Sequence, residues 1–312
     1  MREESFARCH SCTKPACVGE GERARCETHF IEGFDRRVRL TIRQYDMIKP
    51  RERIVVALSG GKDSTVLLHI LASLRERLPM ELLALLIDEG IAGYRSKTIV
   101  TAKRECRKAK VKLHILSFKK EMGKSLDVML KGRRSGGACT YCGVFRRRLL
   151  EVGARKLKAD KLAIGHNLDD AAQTVLLNLY RNEPARLERF GPKSEGGGEM
   201  TGFTPRIRPL IDIAEKEVAL YAELKGYGIS RQACPYAAEA MRQTVRSQLN
   251  EMEDRYPGTK KRIFGAWLQM QKKLIDKIDK KQKLHTPLLA CTSCGEPSSE
   301  KICAVCRLLR AD

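Results

Sequence analysis

The chain has 312 residues, of which 31% are charged and 42% hydrophobic, a balance typical of folded proteins and not of disordered ones. No stretch approaches the roughly 20 apolar residues that a membrane-spanning helix needs, and the N-terminal segment is too charged for a secretion signal, so we expect neither a membrane protein nor a secreted one. The net charge of +22 favours a polyanionic partner such as a nucleic acid, although a solvated basic surface would have the same composition.

Two pairs of potential metal ligands lie near the N-terminus. Cys9 and Cys12 form a Cys-x-x-Cys pair, and Cys26 and His29 follow with the same spacing. Three thiolates and one imidazole make a tetrahedral set that suits Zn²⁺. Cys17 is an alternative fourth ligand. We predict a structural zinc site, because four protein ligands leave no coordination position open for chemistry.

Short apolar runs alternate with amphipathic stretches through the central part of the chain. We predict strands at 53–58, 82–87, 111–116 and 161–165, and helices at 62–77, 96–110, 143–158 and 168–181. Strands that alternate with helices predict parallel pairing and a doubly wound α/β sheet. Such sheets bind their ligands at the carboxyl ends of the strands.

A glycine-rich turn with the sequence SGGKDS, at 59–64, joins the first predicted strand to the first predicted helix. Paired glycines let the backbone approach an anion, and the helix N-terminus adds a partial positive charge. The spacing differs from the GxxxxGK[ST] loop of kinases and GTPases. The hexapeptide instead resembles the signature of the PP-loop pyrophosphatase superfamily, whose members cleave ATP between the α and β phosphates and adenylate a substrate oxygen. A glycine turn without a function is the alternative.

Acidic residues follow two other predicted strands. Asp88 comes directly after the second strand, and the sequence GHNLDD, at 165–170, ends the fourth strand and begins a helix. At the carboxyl edge of the sheet these carboxylates could hold Mg²⁺ or act in the adenylation step. The alternative is that they cap and charge-stabilise a helix N-terminus, which is a common use of Asp.

A third Cys-x-x-Cys pair, Cys139 and Cys142, lies in the sequence CTYCGVFRRR. Such a pair could be redox active, could bind zinc, or could supply two ligands to an iron–sulfur cluster. Cys234, which precedes a proline, has a similar setting. Three thiolates would leave one iron of a [4Fe–4S] cluster without a protein ligand and able to bind sulfide or substrate. Persulfide chemistry is the competing hypothesis.

The remaining part of the chain has a glycine-rich stretch at 190–204, which we expect to be a loop or lid, and predicted helices at 213–226, 238–255 and 260–283. In the last helix, Trp267 and Met270 belong to a stripe that we expect to be buried, and Lys260 belongs to the opposite, basic faces. Those basic faces either are solvated or contact phosphates. Near the C-terminus, two Cys-x-x-Cys pairs at 291–294 and 303–306 predict a second structural zinc site.

The motifs in this order resemble the tRNA 2-thiouridine sulfurtransferases of the PP-loop type, over essentially the whole chain. They begin and end with the two predicted zinc sites, which we call the N-terminal knuckle (9–29) and the C-terminal knuckle (291–306). Between these knuckles lie SGGKDS, CTYCGVFRR, GHNLDD, the segment Pro-Arg-Ile-Arg-Pro at 205–209 and the Cys-Pro at 234–235. The sequence CTYCGVFRR looks most like the corresponding motif of the archaeal and eukaryotic cytosolic branch, which thiolates the wobble uridine. A sister branch that modifies uridine 54 usually has Lys where this chain has Arg146. We therefore expect uridine 34, with uridine 54 as the alternative.

The resemblance implies a two-stage reaction, in which ATP with Mg²⁺ adenylates the C2 oxygen of a uridine and sulfur then displaces AMP. It implies that Cys139, Cys142 and Cys234 hold a [4Fe–4S] cluster and act in catalysis together with Asp170 and Arg146. The implied ATP-binding residues are Ala57, Ser59, Gly60, Gly61, Lys62, Asp63, Ser64, Asp88, Arg146, Gly165, His166 and Asp170. The expected ligands of the two zinc ions are Cys9, Cys12, Cys26 and His29, and Cys291, Cys294, Cys303 and Cys306.

We predict three parts: an N-terminal zinc finger at 1–35, a PP-loop ATP-binding domain with a helical tRNA-binding extension at 36–285, and a C-terminal zinc finger at 286–312. The expected partners are tRNA, a second copy of the chain in a homodimer, and a sulfur donor. That donor is either a thiocarboxylated ubiquitin-like carrier or inorganic sulfide. The expected location is the cytoplasm.

Three other functions fit the sequence less well. A cytidine 2-thiolase is disfavoured because that sister group lacks the two terminal knuckles. An amide-forming PP-loop synthetase has no need of the Cys-x-x-Cys pair. A zinc-bearing tRNA-binding subunit with a degenerate nucleotide site is disfavoured by the intact SGGKDS turn.

Overall fold

The computed structural model describes residues 7–132, 137–194, 203–230, 232–237, 241–277, 289–298 and 300–310. Within these residues, six strands form one mostly parallel sheet in the order β3-β2-β1-β4-β6-β5. The strands are β1 (Arg53–Ala57), β2 (Glu81–Asp88), β3 (Lys112–Ser117), β4 (Lys161–Ala163), β5 (Lys193–Ser194) and β6 (Arg206–Ile207). Only the short edge strand β5 pairs antiparallel among these six. The predicted doubly wound α/β sheet is confirmed.

Twelve α-helices lie within the described residues. They are α1 (Glu27–Gln44), α2 (Lys62–Leu74), α3 (Arg95–Lys108), α4 (Phe118–Met122), α5 (Leu126–Lys131), α6 (Ala138–Lys156), α7 (Leu168–Tyr180), α8 (Pro184–Glu188), α9 (Glu215–Leu224), α10 (Met241–Arg255), α11 (Thr259–Lys277) and α12 (Ala304–Arg310). A small antiparallel hairpin of β7 (Leu289–Ala290) and β8 (Pro297–Ser298) precedes α12. None of these helices is both long enough and apolar enough to cross a membrane.

Several helix boundaries differ from the prediction. The sequence pattern did not indicate α1, and the boundary predicted at residue 35 falls inside this helix, so the division into three parts stays a prediction. Helix α6 begins at Ala138 and not at residue 143, which places Cys139 and Cys142 in its first turns. Of the predicted segments, 238–240, 278–283 and 195–202 lie outside the described residues.

The central strands are buried on both faces. Ile54 and Val56 face a core that includes α1, α2, α3 and α9, whereas Val55 and Leu85 face a second core that includes α5 and α6. In the second core, the rings of Phe118 and Phe145 meet edge to face with centroids 5.9 Å apart. Burial on both faces explains why the strands are continuous apolar runs and do not alternate with polar residues.

Helices α10 and α11 pack against α7 and against each other. Trp267 is buried, as predicted, and its indole N–H donates to the carbonyl oxygen of Phe190 at 2.9 Å. Two expectations for this region were wrong. Met270 is 52% exposed because it lies beyond the edge of the buried stripe, and Lys260 is buried because its ammonium pairs with Asp169 of α7.

Candidate active site and metal centres

The SGGKDS turn connects β1, which ends at Ala57, to the first turn of α2. Gly60 has a φ of +84°, and a Cβ atom there would lie 2.5 Å from the carbonyl oxygen of Thr98, so only glycine fits. The backbone N–H of Ser59 donates to Ser64 Oγ at 3.1 Å, and that hydroxyl donates to the carbonyl of Gly61 at 3.1 Å. The turn is thus held by its own side chains. The N–H groups in the first turn of α2 have no intrahelical acceptors and can bind phosphate.

The loop after β4 touches this turn directly. A Cβ atom on Gly165 would lie 3.0 Å from the backbone carbon of Asp63 and 3.0 Å from the backbone nitrogen of Ser64. Asn167 caps α7 in a reciprocal pair with Asp170, and its side-chain amide donates to Asp63 at 2.9 Å. The two loops therefore meet between β1 and β4, where the strand order reverses. Ligands of doubly wound sheets bind at this position.

The side chain of Lys62 is held by two carboxylates beside the turn. Its Nζ lies 3.0 Å from Asp63 and 2.7 Å from Glu215. Burial lowers the pKa of Lys62, but these two carboxylates outweigh it and leave the pKa raised. Glu215 also accepts from Arg246 of α10 at 3.0 Å. Glu215 and Arg246 were not predicted from the sequence, because both are far from the motif along the chain.

Asp170 faces the same crevice from the first turn of α7. Burial, and next the negative charge of Asp63, raise its pKa to about 6, although Arg242 lies 3.5 Å away and opposes the shift. Asp88 lies at the carboxyl end of β2, and its carboxylate accepts the backbone N–H of Gly90 at 2.9 Å. The adjacent Glu89, which sequence reasoning missed, is buried and lies 2.6 Å from Arg95.

His166 is the second residue of the loop after β4. Burial lowers its pKa to about 3, and the neighbouring guanidinium groups act in the same direction, so the imidazole is neutral. The guanidinium groups belong to Arg208, Arg242, Arg146 and Arg206. Among the described residues, Nδ1 of His166 is buried without a hydrogen-bond partner. This nitrogen is available to a bound group.

The three candidate cluster cysteines come together from two parts of the chain. Cys139 and Cys142 lie at the start of α6, and the Cys139 thiol donates to the carbonyl oxygen of Tyr236 at 3.6 Å, in the segment that carries Cys234. Burial raises the pKa of Cys142 to about 11. The titratable groups near its thiol are those of Arg146, Glu89, Cys234 and Cys139. The Cys234 segment is anchored by the Tyr236 hydroxyl, which donates to Asp127 at 2.8 Å.

The three thiols are not drawn together around a single metal position. Within the described residues, sets of ligand atoms that all lie within 4.8 Å of one another occur at the two terminal knuckles, and the three thiols are not such a set. In a [4Fe–4S] cluster each cysteine ligates a different iron, so the sulfurs do not share one coordination sphere. The donor set therefore fits the cluster that the resemblance implies, and a mononuclear zinc site is disfavoured.

Comparison with known proteins places these motifs in a family. The model of the PP-loop domain matches residues 32–253. The chain is 37% identical to the tRNA 2-thiolation protein NcsA of Haloferax volcanii, over 92% of each chain, and 38% identical to the cytoplasmic tRNA 2-thiolation protein 1 of Drosophila melanogaster, over 92% of this chain and 81% of that one. This chain belongs to the PP-loop tRNA 2-thiolation family.

A solved structure supports the same assignment. The U34-tRNA thiolase NcsA from Methanococcus maripaludis, determined with its [4Fe–4S] cluster, superimposes with a TM-score of 0.80 and 31% sequence identity, over 98% of this chain and 96% of that one. The predicted family and its reaction class, an ATP-using sulfurtransferase, are confirmed. The predictions for individual site residues and for the target uridine remain predictions.

Both terminal knuckles of this tRNA 2-thiolation protein bring their four predicted ligands together. At the N-terminal knuckle, the Cys12 and Cys26 sulfurs are 3.7 Å apart, and the Nδ1 atom of His29 lies 3.3 Å from the Cys9 sulfur. Cys17 lies outside this group, and its thiol donates to the carbonyl of Arg25 at 3.4 Å. This set of three thiols and one imidazole fits Zn²⁺.

The C-terminal knuckle supplies four thiols. The backbone N–H of Cys303 donates to the Cys291 sulfur at 3.3 Å and lowers the pKa of that thiol to about 6, which favours the thiolate that zinc requires. The guanidinium of Arg148 on α6 donates to the sulfurs of Cys294 and Cys303, at 3.4 Å each. Arg148 therefore contacts this knuckle, in contrast to Arg146, which faces Glu89 at 3.9 Å.

Proposed function

We propose that this protein is a cytoplasmic tRNA-uridine 2-sulfurtransferase that acts on wobble uridine 34. The observation that carries the proposal is the direct connection between the nucleotide turn and the thiols. The backbone N–H of Ser230 donates to the carbonyl of Gly60 in the PP-loop at 3.3 Å, and four residues later the same segment presents Cys234. Since that segment also touches Cys139, these two contacts support a site in which the ATP-binding turn and the three thiols act together.

In the first step, the C2 oxygen of the uridine attacks the α-phosphorus of ATP, an O–P bond forms, and pyrophosphate leaves. The N–H groups at the start of α2 and the ammonium of Lys62 would stabilise the negative charge that moves onto the leaving pyrophosphate. Asp63, within this turn, and Asp170 of α7 lie close enough for their charges to interact, and they would hold the Mg²⁺ that accompanies ATP. Arg146, which has Cys142 as a neighbour, would bind the negatively charged phosphate of the adenylated base.

In the second step, sulfur forms a bond to C2 and the C–O bond to AMP breaks, which leaves 2-thiouridine. Cys139, Cys142 and Cys234 would hold a [4Fe–4S] cluster, which would supply an iron site able to bind sulfide. Other residues of the chain hold these thiols in position. Tyr236 and Asp127 fix the Cys234 segment, and the first turns of α6 fix the other pair.

Positive charge beside the thiols supports tRNA as the substrate. Burial and, next, the positive charges of Arg146, Arg206 and Arg186 together lower the pKa of Arg147 to about 10, so these cations lie close together. Such a group is stabilised by phosphates, and the net charge of +22 points in the same direction. The proposal includes zinc at both knuckles, a homodimer, and a sulfur donor that is either a thiocarboxylated ubiquitin-like carrier or inorganic sulfide.

The proposal is tested with anaerobically reconstituted protein, ATP, sulfide and an unmodified tRNA transcript. We expect AMP formation that depends on tRNA, together with 2-thiouridine in the nucleoside digest. A transcript with cytidine at position 34 should abolish the product, and one with cytidine at position 54 should not. The opposite pattern would assign the chain to uridine 54. An absence of AMP formation with either transcript would favour the non-catalytic tRNA-binding subunit.

A further inference from the structure

The C-terminal knuckle is docked on the helix that carries two of the three candidate cluster cysteines. Arg148 of α6 is central to this contact, since its side chain is only 12% exposed and pairs with Glu296 of the knuckle at 2.6 Å. Arg155, two turns further along the same helix, binds the same carboxylate at 2.6 Å. One acidic side chain of the knuckle is thus shared by two arginines of α6.

The same guanidinium also reaches the metal ligands themselves. One nitrogen of Arg148 lies 3.4 Å from the Cys294 sulfur and 3.4 Å from the Cys303 sulfur. Four thiolates around one Zn²⁺ leave an excess of negative charge, and a guanidinium that donates to two of them would reduce that excess. Arginine suits this position because its planar fork offers several donors with fixed geometry, whereas the ammonium of lysine is a point charge.

Apolar contacts continue the same interface. Val305 and Leu308 of α12, which follow the third knuckle cysteine, pack against the core that contains Tyr141 and Phe145 of α6. Tyr141 is the residue immediately before Cys142 and is fully buried. The knuckle therefore packs against the helix that presents the thiols and shares a core with it.

We propose that Arg148 is a positioning residue that stabilises zinc at the C-terminal knuckle and, through this contact, holds the start of α6 so that Cys139 and Cys142 face the active-site crevice. The role assigned to the thiols rests on the proposed function, but the contact between zinc and helix does not. This gives the C-terminal zinc site a purpose beyond the local fold, because losing the metal would displace the helix that bears the cluster ligands.

The test compares Arg148→Gln with the matched control Arg155→Gln, in zinc-loaded protein that is kept free of iron. Arg155 shares Glu296 with Arg148, so the control removes an ion pair of the same interface. We measure zinc release to a chromogenic chelator, and hydrogen–deuterium exchange of the amides at 138–150. In Arg148→Gln we expect the C-terminal zinc to leave roughly tenfold faster, as is typical when an outer partner of a metal ligand is lost. We also expect faster exchange at 138–150.

The control and the N-terminal knuckle separate this effect from general destabilisation. Arg155→Gln should change zinc release by less than about twofold, and exchange at 7–30 should be the same in all variants. Arg148→Lys, which keeps the charge without the fork, should give intermediate zinc release and guards against a glutamine variant that does not fold. The proposal is overturned if zinc release from Arg148→Gln equals that of the wild type, or if zinc leaves faster while exchange at 138–150 is unchanged. Because neither measurement uses tRNA or iron, a failure of thiolation would be recognised separately.

Discussion

At the scale of single residues, Lys62 is already paired before any nucleotide arrives. Its ammonium contacts Asp63 and Glu215, and Glu215 is shared with Arg246 of α10. An incoming phosphate must compete with these carboxylates for the lysine. The pair therefore orients Lys62 toward the turn but also reduces the positive charge that ATP meets.

Replacing Glu215 by Gln should separate these two effects. We expect ATP to bind about fivefold tighter, or roughly 1 kcal/mol, because one partly buried negative charge is removed from the phosphate site. The rate of AMP formation should fall because Lys62 is no longer oriented. Binding is measured with a fluorescent ATP analogue and the rate in single turnovers. The matched control is Glu217→Gln on the same helix, which loses an ion pair to Arg37 at 2.6 Å and should change neither value by more than about twofold. Weaker ATP binding in Glu215→Gln would contradict this account.

The raised pKa of Asp170 predicts that activity falls at low pH. Its pKa is raised to about 6 by burial and by Asp63, so the carboxylate takes up a proton as the pH falls through 6. If the ionised form holds Mg²⁺, kcat/KM for ATP should decrease about tenfold per pH unit below this value and should be level above it. Asp170→Asn should be slow at every pH and should lack this limb. An acid limb that persists unchanged in Asp170→Asn would assign the titration to another group.

At the scale of secondary-structure elements, the site depends on the contact between the loops that follow β1 and β4. Gly165 lies against the backbone of Asp63 and Ser64, and neither neighbour is a flexible side chain that can move aside. The interaction is reinforced by Asn167, whose amide binds Asp63. A small change in one loop is therefore transmitted to the other.

Gly165→Ala should separate the two loops by the size of one methyl group. We expect a loss of about 1–3 kcal/mol in the free energy of unfolding, which is typical of overpacking, together with ATP affinity at least about tenfold weaker. Gly33→Ala is the control, because a Cβ atom there meets nothing within 4 Å. Thermal unfolding and nucleotide titration check both effects. Wild-type ATP affinity in Gly165→Ala would mean that the contact does not shape the site.

The elements that carry strong local signals were predictable, and those that depend on distant partners were not. The apolar runs of β1 and β2 and the glycine turn between β1 and α2 are local patterns, so their structure follows from sequence. Helix α6 was predicted to begin at residue 143, but it begins at Ala138, so the Cys-x-x-Cys pair lies inside the helix. Strands β5 and β6 have two residues each, too few to show any periodicity.

The same distinction holds for the site. The chemically distinctive residues, such as Lys62, Asp170 and the three cysteines, are identifiable from their motifs. The roles of Glu215, which pairs with Lys62, and of Arg148, which contacts the C-terminal knuckle, are not, because Glu and Arg are common on helix surfaces and these contacts span about 150 residues along the chain. Only the fold brings these pairs within hydrogen-bonding distance.

At the scale of the whole molecule, the net charge of +22 should make tRNA binding strongly dependent on salt. Each phosphate that is neutralised by Lys or Arg releases counterions, so the affinity for a full-length transcript should fall by roughly a hundredfold or more between about 50 and 200 mM salt. The dissociation constant is measured by fluorescence anisotropy across this range. ATP affinity, which depends on the enclosed turn, serves as the internal comparison and should fall less steeply. A flat response for tRNA would mean that the surplus charge has another purpose.

The whole chain is organised around a crevice in which the PP-loop turn, the thiols of α6 and the Cys234 segment meet. Two of these parts lie about 100 residues apart in sequence and are joined by the contact between Cys139 and the backbone of Tyr236. The C-terminal knuckle packs against α6. The proposed function therefore assigns activation of the base and delivery of sulfur to one site.

The most direct measurement of this central claim is the 2-thiouridine content of tRNA after reaction with Cys234→Ala protein, reconstituted without oxygen and supplied with ATP and sulfide. We predict no 2-thiouridine and a loss of bound iron, while ATP affinity stays within about twofold of the wild type. Cys17→Ala, which alters an exposed thiol outside the zinc ligands, should retain full activity. Wild-type amounts of 2-thiouridine from Cys234→Ala, or from a variant lacking Cys139, Cys142 and Cys234 together, would contradict the account.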